Sequence, residues 1–367
     1  MKVLIATPDL GMQGGVANFF RTIRPFLGDG AEFFTVGSRA GRENAVSTVA
    51  RMVGDWWRFG AKLRGRGIDV VHLNPSFVPR ALVRDGVFVI LAALHGKPVL
   101  VFFHGWDVSL QERVKGVLAG LFRTSYFRAD RMAVLASRFG DFLRSAGYRG
   151  PVIVETTAVD EEVFRIPDRQ LRRDTGNGVD GAPVNVLFLS RVEAAKGIFT
   201  TLEAFAEVKK GCPGVRLLVA GEGPDLDAAK RRVADTGLGD VEFLGYVRGE
   251  DKERLFLRSD IYLFPTFYPE GLPISLIEAM AYGLPSITRP AGGVADFFET
   301  GNMGFMSESG DAPVFAGFLE TLVRDPALRS RVGAYNRSYA ARRFAASLVA
   351  GRLLETYGRM VAGDKAD

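Results

Sequence analysis

The sequence predicts an α/β protein built from two doubly wound parallel-sheet domains in tandem. Three observations predict it. Short apolar, β-branched runs recur between helical stretches, the pattern breaks once at a polar stretch, and it then starts again. With 367 residues, 47% of them hydrophobic, the chain is long enough for two packed cores.

The first domain is expected over residues 1–166. Its strands are read at Val3 to Ala6, Val70 to Leu73, Pro98 to Phe103, Met132 to Leu135 and Val152 to Val154. Runs this short and apolar on both faces suit strands covered by helices on both sides, the setting of a parallel sheet. Pro167 to Pro183, rich in Gly and Asp, reads as the linker. The second domain, 183–343, repeats the pattern at Val186 to Leu189, Arg216 to Ala220, Val241 to Leu244, Ile261 to Phe264 and Pro285 to Thr288. A last helix within 344–361, apolar at Leu348, Leu353, Tyr357 and Met360, is expected to pack back so that 344–367 completes the first domain. Open α/β sheets bind ligands beyond the carboxyl ends of their strands, so tandem sheets predict a shared central cleft.

Composition narrows the function classes. The single cysteine, Cys212, excludes an intramolecular disulfide and a cysteine-rich zinc site. The opening Met-Lys-Val-Leu-Ile-Ala-Thr-Pro is too short in apolar residues for a signal peptide, and no stretch approaches the ~18 to 20 needed to span a bilayer. A cytoplasmic protein is expected, with peripheral attachment to the cytoplasmic membrane face left open. Residues 1–165 carry 22 Lys and Arg against 15 Asp and Glu (+7), and the remainder 25 against 27 (−2), which together give the net +5. Such asymmetry favours an acidic surface or substrate facing the first half.

The most informative segment runs from Phe267 to Pro285. Glu270 precedes Gly271, Leu272 and Pro273, a sequence that keeps it in a loop, while Ser275 to Tyr282 reads as a helix carrying Glu278. Ionised carboxylates accept hydrogen bonds only, and sugar and ribose hydroxyls donate them. The free N–H groups where the helix starts suit phosphate. Hydroxyls and phosphate together describe a sugar nucleotide; the alternative is a surface helix with one glutamate placed by the helix dipole.

Four further motifs follow strands. Gly14 and Gly15 open a helix after the first strand, either as a phosphate cradle or as a flexible turn. His104-Gly105-Trp106-Asp107 sets an imidazole, a stacking surface and a carboxylate at a strand's carboxyl end, a favoured catalytic position. A structural hydrogen bond is the other reading for His104, and for His72 and His95 it is the preferred one. Arg191 and Lys196 bracket a turn entering a helix, a natural clamp for a pyrophosphate, although exposed cations are common. Gly221-Glu222-Gly223-Pro224-Asp225-Leu226 is close to a dinucleotide fingerprint, but Leu226 replaces its third glycine. Asp225 and Asp227 read as helix-capping acids with no metal.

Taken together these residues resemble the family 4 retaining glycosyltransferases over nearly the whole chain. The resemblance rests on Gly14-Gly15, His104, Arg191 with Lys196, Gly221 to Gly223, Phe243-Leu-Gly245-Tyr246, the Glu270 to Glu278 spacing and Gly292-Gly293. It implies a GT-B fold, two Rossmann-like domains facing a cleft. It also implies transfer from a nucleoside diphosphate sugar with retained anomeric configuration and no metal or other cofactor. Arg191 and Lys196 would grip the diphosphate with help from the Gly15 N–H and from Gly221. Glu278 would hold the ribose, the backbone at Tyr246 would border the base, and Glu270 with Gly271, Leu272 and Pro273 would hold the donor sugar. His104 would lie near the reacting sugar, with Trp106 and Asp107 toward the acceptor. Two departures stand out: Gly292-Gly-Val294-Ala-Asp296 where Gly-Gly-x-Pro-Glu is usual, and Thr157-Ala-Val-Asp160 in place of Asn-Gly-Val-Asp.

Two basic segments interleave aromatics, Asp55 to Arg66 with Trp56 and Trp57, and Arg113 to Arg128 with Phe122. As interfacial helices they would meet an anionic membrane and favour a lipid-linked or glycan acceptor; as ordinary helices their rings are core. No nucleic-acid reading motif is present. The expected function is therefore a hexosyltransferase using a UDP- or GDP-sugar in cell-surface polysaccharide or glycolipid synthesis. A sugar-nucleotide epimerase, a transferase to a soluble small acceptor and a non-catalytic binding module are the competing readings.

Overall fold

A computed structural model describes residues 1–12, 14–37, 45–65, 67–167 and 183–364. It divides into two compact units. The first comprises Met1–Ala158, Pro269–Leu272 and Ala346–Asp367, and the second Val159–Tyr268 and Pro273–Ala345.

The first unit is a six-stranded sheet of β1 (Val3–Thr7), β2 (Ala31–Thr35), β3 (Val70–Leu73), β5 (Val99–Phe103), β7 (Arg131–Val134) and β8 (Val152–Val154), in the order β2-β1-β3-β5-β7-β8. A separate ribbon pairs β4 (Ser76–Phe77) with β6 (Gly105–Trp106). Every pairing is parallel. Strands β1, β3, β5 and β7 are buried along their whole length, as strands with helices on both faces must be. The order reverses between β1 and β3, which makes that the point where a crevice opens.

The second unit holds β9 (Val184–Leu189), β10 (Val215–Ala220), β11 (Val241–Gly245), β12 (Ile261–Phe264), β13 (Ser286–Thr288) and β14 (Gly304–Met306), in the order β11-β10-β9-β12-β13-β14. All pairs are again parallel. Here the order reverses between β9 and β12, so the loops leaving these two strands flank the crevice.

The units differ from the expected 1–166 and 183–343. Residues 159–166 go with the second unit because Arg337, on the Pro326–Arg343 helix, donates to the carbonyls of Val163, Phe164, Ile166 and Ala281 at 2.7 to 3.2 Å. Val159 pairs with Ala345, which fixes the second change-over at 345/346. The predicted linker, apart from Pro167 and Pro183, lies outside the described residues. The last helix, Ala346–Val361, belongs to the first unit. Its Arg352 forks onto Glu155 at 2.7 and 2.8 Å, and the Tyr357 hydroxyl lies 2.6 Å from His72 Nδ1. Among the described residues no helix is long and apolar enough to cross a membrane.

Candidate active site

In the second unit, the loop leaving β9 carries Arg191 and Lys196. Its last turn, Ala194–Lys196, ends at Gly197, whose φ of 84° belongs to the left-handed region; a Cβ there would lie 2.3 Å from the Pro265 carbonyl oxygen. The turn is held from two sides. Asp225 Oδ2 accepts from the Ala194 N–H at 2.7 Å, and the Ala195 carbonyl accepts from the Phe267 N–H at 2.8 Å. Asp225 therefore does not cap its own helix as expected; its carboxylate is turned to the lysine-bearing turn. Lys196 is 7% exposed, and its ammonium lies 3.8 Å from the centre of the Tyr268 ring. Arg191, more exposed, pairs with Glu193 at 3.1 Å and lies 5.2 Å from the same ring.

The loop leaving β10 reaches this turn through its glycines. At Gly221, φ is 139° and a Cβ would stand 1.8 Å from the Ser190 carbonyl oxygen; at Gly223 it would stand 2.3 Å from that of Val192. Both positions must lack a side chain for the two loops to lie flush. Beyond β11, Tyr246 is 50% exposed.

The Ile274–Ala281 helix places Glu278 facing Lys252, whose Nζ donates to Oε1 at 2.7 Å. Tyr262 of β12 fixes the start of that helix, donating to Ser275 Oγ at 2.7 Å. Tyr282 stacks on Phe256 at 4.7 Å, joining it to the Gly249–Leu257 helix that carries Lys252. Neither Lys252 nor Tyr268 is marked by any motif, since each is defined by a partner on another element.

In the first unit, Gly14 (φ 147°) precedes the Gly15–Ile23 helix, and among the described residues a Cβ at either glycine would meet nothing within 4 Å. Arg21 ties the loop down through the Leu10 carbonyl and Asn18 Oδ1 at 3.1 and 3.2 Å. His104 stands at the end of β5 among Phe19, Phe20 and Phe102. Asn74, at the end of β3, donates from Nδ2 to the Ala6 carbonyl at 3.0 Å, which turns its Oδ1 toward His104 Nε2, also at 3.0 Å. The imidazole is thereby fixed with its proton on Nε2 and a lone pair on Nδ1. Glu270, Gly271 and Leu272 are grouped with this unit, and a Cβ on Gly271 would lie 2.4 Å from the His104 carbonyl oxygen.

Trp106 corrects an expectation. Phe77 covers one face at 4.1 Å and Phe139 the other at 4.4 Å, both nearly parallel to it, so it has no open face to offer a ligand. The β4–β6 ribbon, invisible in the sequence, brings Phe77 there. Asp107 accepts from Ser109 N and Oγ, an ordinary turn cap. Phe122 is fully buried and is core. His95 closes a helix end by bonding the Leu91 carbonyl.

Burial pushes both His72 and His104 down to about 3, in His104 with a smaller contribution from His72. Below an ordinary value near 6.5 the unfolded chain therefore takes up protons that the folded chain refuses. Stability should be complete above pH ~6.5 and fall toward pH ~3, by on the order of 1.4 kcal/mol per pH unit for each histidine. Urea midpoints at pH 7 and pH 5 check this: the wild type should lose stability, and His72→Asn should lose less. Equal slopes would remove His72 from the account.

These two sheets in tandem, with cations and glycines on the loops at their carboxyl ends, are the GT-B fold. Residues 173–339 match the family described as glycosyl transferases group 1. The putative colanic acid biosynthesis glycosyltransferase WcaL of Salmonella typhimurium is 24% identical over 263 residues, 70% of this chain and 61% of that protein. Phosphatidyl-myo-inositol mannosyltransferase of Mycobacterium leprae is 32% identical over 174 residues, 47% of this chain and 46% of that one. The crystal structure of Anabaena HepE in complex with UDP-glucose superposes with a TM-score of 0.75 at 18% identity, over 98% of this chain and 99% of that one. The chain spans about six tenths of the length of the first curated relatives that it matches.

Proposed function

We propose that the protein is a retaining glycosyltransferase of the family 4 type. It moves a hexose-type sugar from a UDP- or GDP-sugar to a glycan or lipid-linked acceptor in cell-surface polysaccharide or glycolipid synthesis. One observation carries the reading: Lys196 and Arg191 converge on a loop at the β9/β12 crevice, inside the family-matched stretch. Two fixed cations there suit a leaving diphosphate. In the proposed step the bond from the sugar C1 to the phosphate oxygen breaks and the acceptor oxygen bonds to C1 on the same face. The acceptor proton passes to the departing diphosphate, so no metal ion is called for. Glu278 accepts from the ribose, Tyr246 borders the base, and Glu270 to Pro273 hold the donor sugar. His104, with Nδ1 open as an acceptor, faces the reacting sugar beside the Gly14-Gly15 loop. Relatives named for colanic acid biosynthesis and for a phosphatidyl-myo-inositol acceptor support the acceptor class.

Thermal unfolding with UDP, GDP, ADP, NAD and their sugar conjugates tests this. A ligand at ~100 times its dissociation constant adds ~2.7 kcal/mol to the folded state, so one nucleoside diphosphate should raise the melting temperature. A shift with NAD alone would overturn the reading, and conversion of the nucleotide sugar without acceptor would make the protein an epimerase.

A peripheral membrane location has its own support. Val46, Val49, Val53 and Trp57, 79, 61, 52 and 72% exposed, are spaced along one side of the Ala45–Arg64 helix. Trp56 faces inward, donating to the Arg84 carbonyl. This apolar stripe ends at exposed Arg64 on the same side of the helix, which fits an anionic bilayer. Trp57→Ser should weaken binding to phosphatidylglycerol-containing vesicles about tenfold or more, since burying a large apolar side chain is worth ~1.5 to 3 kcal/mol. Wild-type protein that stays in solution would end this part of the proposal.

A further inference from the structure

We propose that Lys252 is a positioning residue for the nucleotide ribose: its ammonium holds the Glu278 carboxylate in the orientation that meets the ribose hydroxyls before the nucleotide arrives. This rests on the reading of Glu278 as the ribose acceptor given above.

Lys252 Nζ donates to Glu278 Oε1 at 2.7 Å, from the Gly249–Leu257 helix to the Ile274–Ala281 helix. An ionised carboxylate offers about four lone-pair sites on its oxygens, so one bond from an ammonium leaves the other oxygen for hydroxyls that donate. The pair is partly withdrawn from water, with the glutamate side chain 16% and the lysine side chain 30% exposed. A glutamate held by nothing would sample several rotamers, and closing on a ribose would then include the cost of ordering it. Holding it beforehand removes that cost from binding.

The ion pair is built into a two-rung ladder between the helices. Phe256 follows Lys252, and Tyr282 follows Glu278, each by one helical turn, so the members of each pair lie on one side of their helix. The two rings stack at 4.7 Å and 10°, one turn along from the charges. The backbone N–H of Tyr282 donates to the Glu278 carbonyl at 3.0 Å, which ties the second rung to the first. Arg254, the other basic residue of the Gly249–Leu257 helix, pairs with Glu250 and Asp251 on its own helix, whereas Lys252 reaches across.

Calorimetric titration of UDP, GDP and their 2′,3′-dideoxy forms into wild type, Lys252→Met, Glu278→Gln and the double variant tests the assignment. Lys252→Met keeps the length of the stem and removes the charge. It should bind the preferred diphosphate about fivefold more weakly than wild type, the worth of one side chain ordered in advance. The dideoxy form should stay within about twofold at physiological ionic strength, where the lost charge is screened. In the Glu278→Gln background, Lys252→Met should change neither ligand, because the two residues act as one unit. Equal weakening of the ribose and dideoxy forms, or tighter binding of the ribose form in Lys252→Met, would overturn the proposal. Wild type that binds both forms equally brings down the reading of Glu278 itself, whereas a wild-type preference for ribose that survives in Lys252→Met brings down only this inference.

Discussion

Lys196→Ala is expected to lower turnover by ~10²- to 10³-fold, the loss seen when one fixed donor to a developing negative charge is removed from an enzyme site. Lys196 is 7% exposed and its turn is fastened by Asp225, by Phe267 and by the close approach of Gly197 to Pro265. A cation out of water and already oriented acts on a leaving diphosphate with little screening and no reorganisation. Affinity for the nucleoside diphosphate should fall as well, while the melting temperature should hold, because the turn is tied through backbone atoms. Lys196→Arg should not restore turnover, since Lys196 is 7% exposed and the larger guanidinium would have to displace its packed neighbours and present its charge as a fork in place of a point. Initial rates at saturating donor decide the matter, and near-wild-type turnover in Lys196→Ala would remove the diphosphate clamp from the mechanism.

Gly221→Ala should be the most damaging single methyl group in the second unit, at ~2 to 5 kcal/mol from backbone strain and overpacking together. A Cβ at 1.8 Å from the Ser190 carbonyl oxygen, on a backbone with φ 139°, leaves no rotamer to relieve it. Either the β9 and β10 loops part or the strand ends shift. The hydrogen bonds Ser190 N to Ala220 O at 3.1 Å and Gly221 N to Gly245 O at 2.7 Å are the first to be lost. Donor affinity should drop in parallel, because the displaced loop is the one that carries Arg191 and Lys196. Gly237→Ala is the control: its φ of 62° is also left-handed but nothing lies within 4 Å, so only the conformational cost of ~1 kcal/mol remains. Urea unfolding that ranks the two variants equally would contradict the packing described.

The alternation of apolar runs made the central strands legible, because a strand buried on both faces has to be written in Val, Ile, Leu and Phe. Edges were not. Strand β2 is half-buried throughout and β14 is three residues long, so neither leaves an apolar run to find. At the site, motifs marked Arg191, Lys196, Gly221 and His104, which the fold sets on loops at the carboxyl ends of strands, and Glu278, on the helix that follows β12. Side chains whose meaning depends on a neighbour from another element were silent: Asn74 orients His104, Lys252 meets Glu278, and Tyr268 lies under two cations. Trp106 was misread for the same reason, since exposure depends on what covers a ring.

The return of the last helix to the first unit has a consequence for how the chain is made. On the ribosome the unit begun first is finished last. Its sheet is complete once Ala158 has emerged, yet the face that Tyr357 and its neighbours cover, which includes His72 and Glu155, stays bare until about 200 more residues are added. At ~5 to 20 residues per second that is a wait of on the order of 10 to 40 s. During that interval the nascent N-terminal unit presents an unfinished surface while the second unit folds on its own strands.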